Sequence, residues 1–120
     1  MLKVTRNDTM VFESNGKWLH PLLELGEKIQ QEGWPAEELF LHDSVIGRAA
    51  ALLIVRMGIR KCRGDLMSRR ALPVLEQAGL DYTCGTLVDK IACQTEDLLA
   101  GETDPEAAYR FILNRIEARQ

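Results

Sequence analysis

The stretch Glu38-Leu39-Phe40-Leu41-His42-Asp43-Ser44-Val45-Ile46-Gly47-Arg48-Ala49-Ala50-Ala51-Leu52-Leu53-Ile54-Val55 decides the fold. Glu38 to His42 is a short apolar run ending in a polar corner, which reads as a buried strand. The apolar segment after it is too long for a strand and reads as a helix. Ile46, Ala49, Ala50, Leu53 and Met57 recur at helical spacing and make one face apolar. Ala51, Leu52 and Val55 make the opposite face apolar as well. A helix greasy on both sides must be covered on both sides, so it belongs at the centre of the molecule. Asp43 to Arg48 then mark the corner where a central strand hands over to a central helix, and a functional site is expected there.

Size and composition bound the rest. The chain has 120 residues, 46% of them hydrophobic and 28% charged, which suits one soluble globular domain spanning 1–120. Residues up to about 85 are expected to form its core and 86–120 its C-terminal helices. A net charge of -3 and a pI near 5.4 argue against a broad nucleic-acid footprint. The apolar run Ala49 to Val55 is far too short to cross a bilayer, and Met1 to Asp8 lacks the layout of a signal peptide. Three cysteines without close spacing fit a reducing cytoplasm better than a disulfide framework. The expected location is therefore cytoplasmic, with neither nucleic acid nor membrane as partner.

Upstream, Leu2–Thr5 and Met10–Ser14 read as a hairpin turning at Arg6 to Thr9, because Asn7 and Asp8 tolerate left-handed backbone angles. A helix should open near Pro21 and close at Gly33 and Pro35. Downstream, Gly58 ends the central helix, and Ile59–Arg63 is a strand closed by Gly64 and Asp65. Ser68 is a candidate cap for a third helix that Pro73 should delay or bend. Leu80–Cys84 is the last strand, and Thr86 is expected to cap a short helix over Leu87–Ile91. Asp104-Pro105-Glu106 starts the closing helix. Strands alternating with helices predict an α/β domain in three α/β/α layers, its mixed five-stranded sheet beginning with a hairpin.

That element order resembles the cytidine deaminase-like fold. Asp43 at a strand end, Gly47 four residues on, and the Ala49-Ala50-Leu52 helix resemble a small bacterial family of that superfamily, catalogued as a domain of unknown function. Pro21-Leu22, Gly58-Ile59 and Leu75-Glu76-Gln77-Ala78-Gly79 look similar too, so the likeness runs from about Val4 to Asp89. Ser44 stands where members carry a lysine, and only the spacing from Cys93 to Glu96 is left of their Cys-Pro-x-Glu element. The resemblance implies a fold and a pocket location but no reaction class.

Zinc deaminases hold their metal with a His or Cys two residues before a general-acid Glu, together with a later Pro-Cys-x-x-Cys. Here Ser44 follows His42 by two, and Leu66–Arg69 offers no cysteine, so at most His42 and Asp43 could ligate. No metal, no cofactor and no zinc-dependent deamination are expected. What is expected is an anion-friendly crevice at the amino ends of the second and third helices. Gly47 would admit a ligand to the backbone, Arg48 would add charge, and Ser44 and Ser68 would line the crevice or act as caps. Asp43 and Asp65 are candidate acids for ribose hydroxyls or proton transfer, although Asp43 reads equally well as an N-cap. The expected ligand is nucleotide-like or a ribose phosphate, by analogy of fold. The alternative is a homodimeric module without a ligand site, suggested by the closing-helix face Tyr109, Ile112, Leu113 and Ile116.

Overall fold

The structure is a computed structural model that describes residues 1–91 and 93–119, with side chains to 117. Strands β1 (Leu2–Arg6) and β2 (Thr9–Ser14) form the hairpin, followed by α1 (His20–Glu32), β3 (Leu39–Ile46) and α2 (Arg48–Arg56). Then come β4 (Lys61–Ser68), α3 (Leu72–Gln77), β5 (Asp81–Val88), α4 (Gln94–Leu98) and α5 (Pro105–Arg119). The five strands make one mixed sheet in the order β2-β1-β3-β4-β5. Strand β1 runs antiparallel to both neighbours, while β3, β4 and β5 are parallel.

Local chemistry accounts for the element ends. Asn7 and Asp8 both adopt positive φ in the hairpin turn, as a tight turn matched to strand twist requires. Gly33 closes α1 in the left-handed conformation and returns its N–H to the Ile29 carbonyl. Ahead of α3, Arg69–Ala71 forms a 3-10 turn, and Pro73 occupies the first turn of the helix, so the proline does delay its start. Residues Arg48 to Ile54 of α2 are all buried, and α2 touches α1, α3, α4 and α5. It is the central helix its two-sided apolarity required.

The sheet's register separates its faces row by row. Phe12, Val4, Leu41, Cys62 and Tyr82 lie side by side across all five strands and face the helices. The next row, Glu13, Lys3, His42, Arg63 and Thr83, faces the other way and is exposed or half-exposed. So does Met10, Thr5, Phe40, Lys61 and Asp81. The expectation of helices on both faces is corrected here. Among the described residues all the helices gather around α2 on one face, and the other face is open.

The parallel strands also run further than their sequences suggested. Each was expected to stop at His42, Arg63 or Cys84, yet they end at Ile46, Ser68 and Val88. At the row Ser44, Asp65 and Gly85 the ladder pairs skip a step, and the Asp65 carbonyl lies only 2.7 Å from where a Gly85 Cβ would sit. Beyond that row the pleat resumes in the opposite phase, with Ile46 and Met67 fully buried and Leu87 half-buried beside them. The helix expected over Leu87–Ile91 is strand to Val88, and the expected boundary at 85 falls inside β5. Ala92 and Gln120 of the expected C-terminal region lie outside the described residues. Among the described residues no helix is long and apolar enough to cross a membrane.

Candidate functional site

The corner between β3 and α2 borders a cavity of about 280 Å³. Val45, Gly47, Ala49 and Ala50 form one side, Trp18 and Leu19 another, and Ile91, Cys93, Thr95 and Glu96 close it from the C-terminal segment. The carboxyl end of a parallel strand beside a helix amino end is a common place for a ligand crevice in open α/β sheets. Trp18 sits there with φ of +59°, a conformation costly for a bulky residue unless its surroundings impose it. Its ring meets His20 edge-on at 5.7 Å.

Glu96 dominates this corner. It is 2% exposed, and its Oε2 accepts the Arg48 backbone N–H at 2.6 Å while its Oε1 accepts the Ser68 hydroxyl at 2.6 Å. The amino end of α2 is thus already occupied by a carboxylate of the same chain, which satisfies an orphan donor and the helix dipole together. Gly47 is needed because a Cβ there would lie 2.7 Å from Glu96 Oε2. The anion the crevice was expected to recruit from solution is built in, and it is Glu96, not a ligand, that approaches the Gly47 backbone.

Arg48 was expected to face a ligand, but it is 6% exposed and turns into the protein. Its guanidinium donates to the carbonyls of Leu99 at 2.9 Å, Arg70 at 2.9 Å and Glu102. Arg70 adds bonds to the Glu96 carbonyl at 3.3 Å and to the Asp97 carboxylate at 2.9 Å. That Arg70 bond, with Lys90 nearby, holds the Asp97 carboxyl below its usual range. These two arginines strap residues 96–102 across the corner. Ser68 is fully buried; it donates to Glu96 and accepts the Arg70 N–H at 3.0 Å, so it caps the 3-10 turn ahead of α3. The expectation that it caps α3 itself is corrected, because the N-cap position of α3 is Ala71.

The other candidates separate. Asp43 lies inside β3 and its carboxylate accepts its own neighbour's N–H, that of Ser44, at 2.7 Å; it caps no helix. Burial pushes its carboxyl above the ordinary 3.8, with the Ser44 bond opposing. The Ser44 hydroxyl accepts from the Met1 amine at 2.6 Å. Asp65 stands on the open face, bonded to His42 Nε2 at 2.8 Å with Arg63 Nε at 3.8 Å. Its carboxyl lies below the usual range chiefly through that His42 bond. By the pleat, Asp43 follows Leu39 and Leu41 toward the helices while Asp65 follows Lys61 and Arg63 away from them, so the expected acid pair is not formed. His42 and Asp43 point apart for the same reason, and among the described residues no three metal-binding side chains converge.

Two of the residues that make the corner, Trp18 and Ile91, were not anticipated as site residues. Cys93 and Glu96 had been marked only by their spacing, which was the one signal that the tail closes the pocket. The basic residues from Arg60 to Arg70 serve different parts of the fold. Arg60 caps the α3 end through the Ala78 and Gly79 carbonyls, and Arg69 pairs with Asp89.

Comparisons with known proteins agree with this architecture. No curated protein matches the chain. The crystal structure of TM1506, a DUF1893 family protein from Thermotoga maritima, superposes with a TM-score of 0.86 at 22% sequence identity. The match covers 95% of this chain and 79% of that one, and at such identity it speaks for the fold alone. The profile of the TM1506 family, described as a domain of unknown function (DUF1893), matches residues 2–116. With that profile covering nearly the whole sequence, the chain belongs to the DUF1893 family.

Proposed function

We propose that the corner cavity binds a nucleotide-like small molecule through its planar ring rather than through its phosphate. The observation that carries this reading is the presence of Trp18 and of buried Glu96 in the lining of one 280 Å³ cavity. Ligand pockets are mostly apolar with a few fixed polar groups. A carboxylate has about four lone-pair positions, and protein donors take two of Glu96's, so ring N–H groups could use the rest. A phosphate has no such welcome, because Glu96 already fills the α2 amino end.

A cytidine deaminase-like ancestry belongs to the same proposal. It is supported by the hairpin-first order, the 2-1-3-4-5 sheet and a crevice at the β3–α2 junction; the open sheet face departs from its three-layer form. A cytoplasmic location is supported by Cys62, Cys84 and Cys93, none of which forms a disulfide. The homodimeric module has less in its favour, because Ile112 of the face that suggested it is fully buried against the protomer's own core.

Tryptophan fluorescence and thermal melting with a panel of nucleosides, nucleotides and ribose phosphates test the reading. Nucleosides are expected to raise the melting temperature and, in a Trp34→Phe background, perturb the emission of Trp18; Val45→Phe at the exposed mouth is expected to abolish both effects. If ribose phosphate alone stabilises the protein while free nucleosides do nothing, the ring-first reading is wrong.

A further inference from the structure

The open sheet face is a second surface, separate from the corner cavity and from any reading of it. On its middle strand Phe40 is 38% exposed, a large apolar ring on a face where no helix covers it. Lys61 stands beside Phe40 in one register row, and Lys3, His42 and Arg63 are consecutive in the next. Neighbouring strands are about 5 Å apart and alternate residues along one strand about 7 Å, so one ring and three cations share a small central patch. Lys3 and Lys61 make no ion pair among the described residues. The one central acid, Asp65, is engaged by His42 at 2.8 Å and Arg63 at 3.8 Å. The remaining acids, Glu13 and Asp81, stand on the outer strands β2 and β5, beside Lys3 and Lys61 in their register rows without forming ion pairs with them among the described residues.

We propose that this face docks a short single-stranded nucleic-acid segment, with one base stacked on Phe40 and the adjoining phosphates across Lys3, Arg63 and Lys61. A sheet face with an exposed ring on a central strand and cations around it suits unpaired bases, since every base offers a π-face. A second copy of this chain fits poorly, because facing sheets would bring two cationic centres together. An acidic peptide would match the cations but leave Phe40 unused. The acidic average of the chain excludes a broad footprint, and this one is two rows wide.

Fluorescence anisotropy with labelled oligouridylate and oligothymidylate tests the proposal on the full chain. Binding is expected at low salt, with a log–log salt slope near -2 for about three phosphates. Lys3→Glu combined with Arg63→Glu should abolish binding, and Phe40→Leu, which keeps apolar bulk but loses the ring, should weaken it about tenfold. All three positions are at or near the surface, and unchanged thermal melting verifies each variant. On the unaltered protein, amide chemical shifts should move at Lys3, Phe40 and Arg63. No anisotropy change, displacement by polyglutamate as effective as by unlabelled oligonucleotide, equal affinity for duplex, or indifference to Phe40→Leu would each overturn it.

Discussion

The Glu96 carboxylate and the Arg48 backbone N–H, 48 residues apart in the chain, meet at 2.6 Å in a buried corner. The same carboxylate takes the Ser68 hydroxyl at 2.6 Å, so one side chain joins α4, the start of α2 and the end of β4. Glu96→Ala would strand two buried donors and is expected to cost about 2 kcal/mol. Glu96→Gln keeps the shape but loses the charge at the helix end and should cost about 1 kcal/mol. Denaturant midpoints at constant m-value check both; an unchanged midpoint for Glu96→Ala would show that the corner contributes little.

Gly47 and Glu96 should be energetically coupled. Gly47→Ala places a Cβ 2.7 Å from Glu96 Oε2 and is expected to destabilise the protein, while in a Glu96→Ala background the same change should cost much less. A double-mutant cycle reads the difference, expected at about 1 kcal/mol. Strict additivity would mean the clash is relieved by a shift elsewhere.

Arg48 holds the strap. Arg48→Met retains most of the side-chain bulk but leaves the Leu99, Glu102 and Arg70 carbonyls without their charged donor. A loss of about 3 kcal/mol is expected. Hydrogen exchange and limited proteolysis should show it first around Leu99–Glu102, before the sheet is affected. Uniform loss of protection instead would place Arg48 in the global core rather than at a local clasp.

Asp43 and Asp65 should bend the pH profile of stability in opposite directions. The Asp43 carboxyl is raised by burial above 3.8, so its folded form favours the proton. Its contribution is present below the unfolded value and is lost as pH climbs through the folded one. Asp43→Asn should therefore melt higher than the parent at neutral pH, with the gain vanishing in acid. The Asp65 carboxyl is lowered by His42, so what it contributes is present at neutral pH and lost as pH falls; its exposure keeps that effect small. Melting curves across the acid range for both asparagine variants separate the two.

Cysteine reactivity should follow burial. The Cys62 thiol is pushed up to about 11 by its burial, and only the thiolate is nucleophilic. Half-buried Cys84 and Cys93 are expected to take a thiol reagent in the native protein, with Cys62 reacting only on unfolding. Mass spectrometry of the labelled peptides reports the order.

Local sequence settled the hairpin at Asn7-Asp8, the stop of α1 at Gly33, the start of α5 at Pro105 and the central place of α2. Each of these depends on a backbone preference or an apolar period carried by neighbouring residues. The far ends of β3, β4 and β5 were not legible, because the pleat changes phase at Ser44, Asp65 and Gly85 and breaks the alternation that marks a strand. Nor could local pattern show that Asp43 and Asp65 face apart, or that one face of the sheet stays bare, since both depend on which strands pair and in what register. Above all, a helix amino end attracts any anion, and the sequence marks the attraction without naming what answers it. Only the folded chain, by carrying residues 93–102 back across the corner, decided that the anion is Glu96.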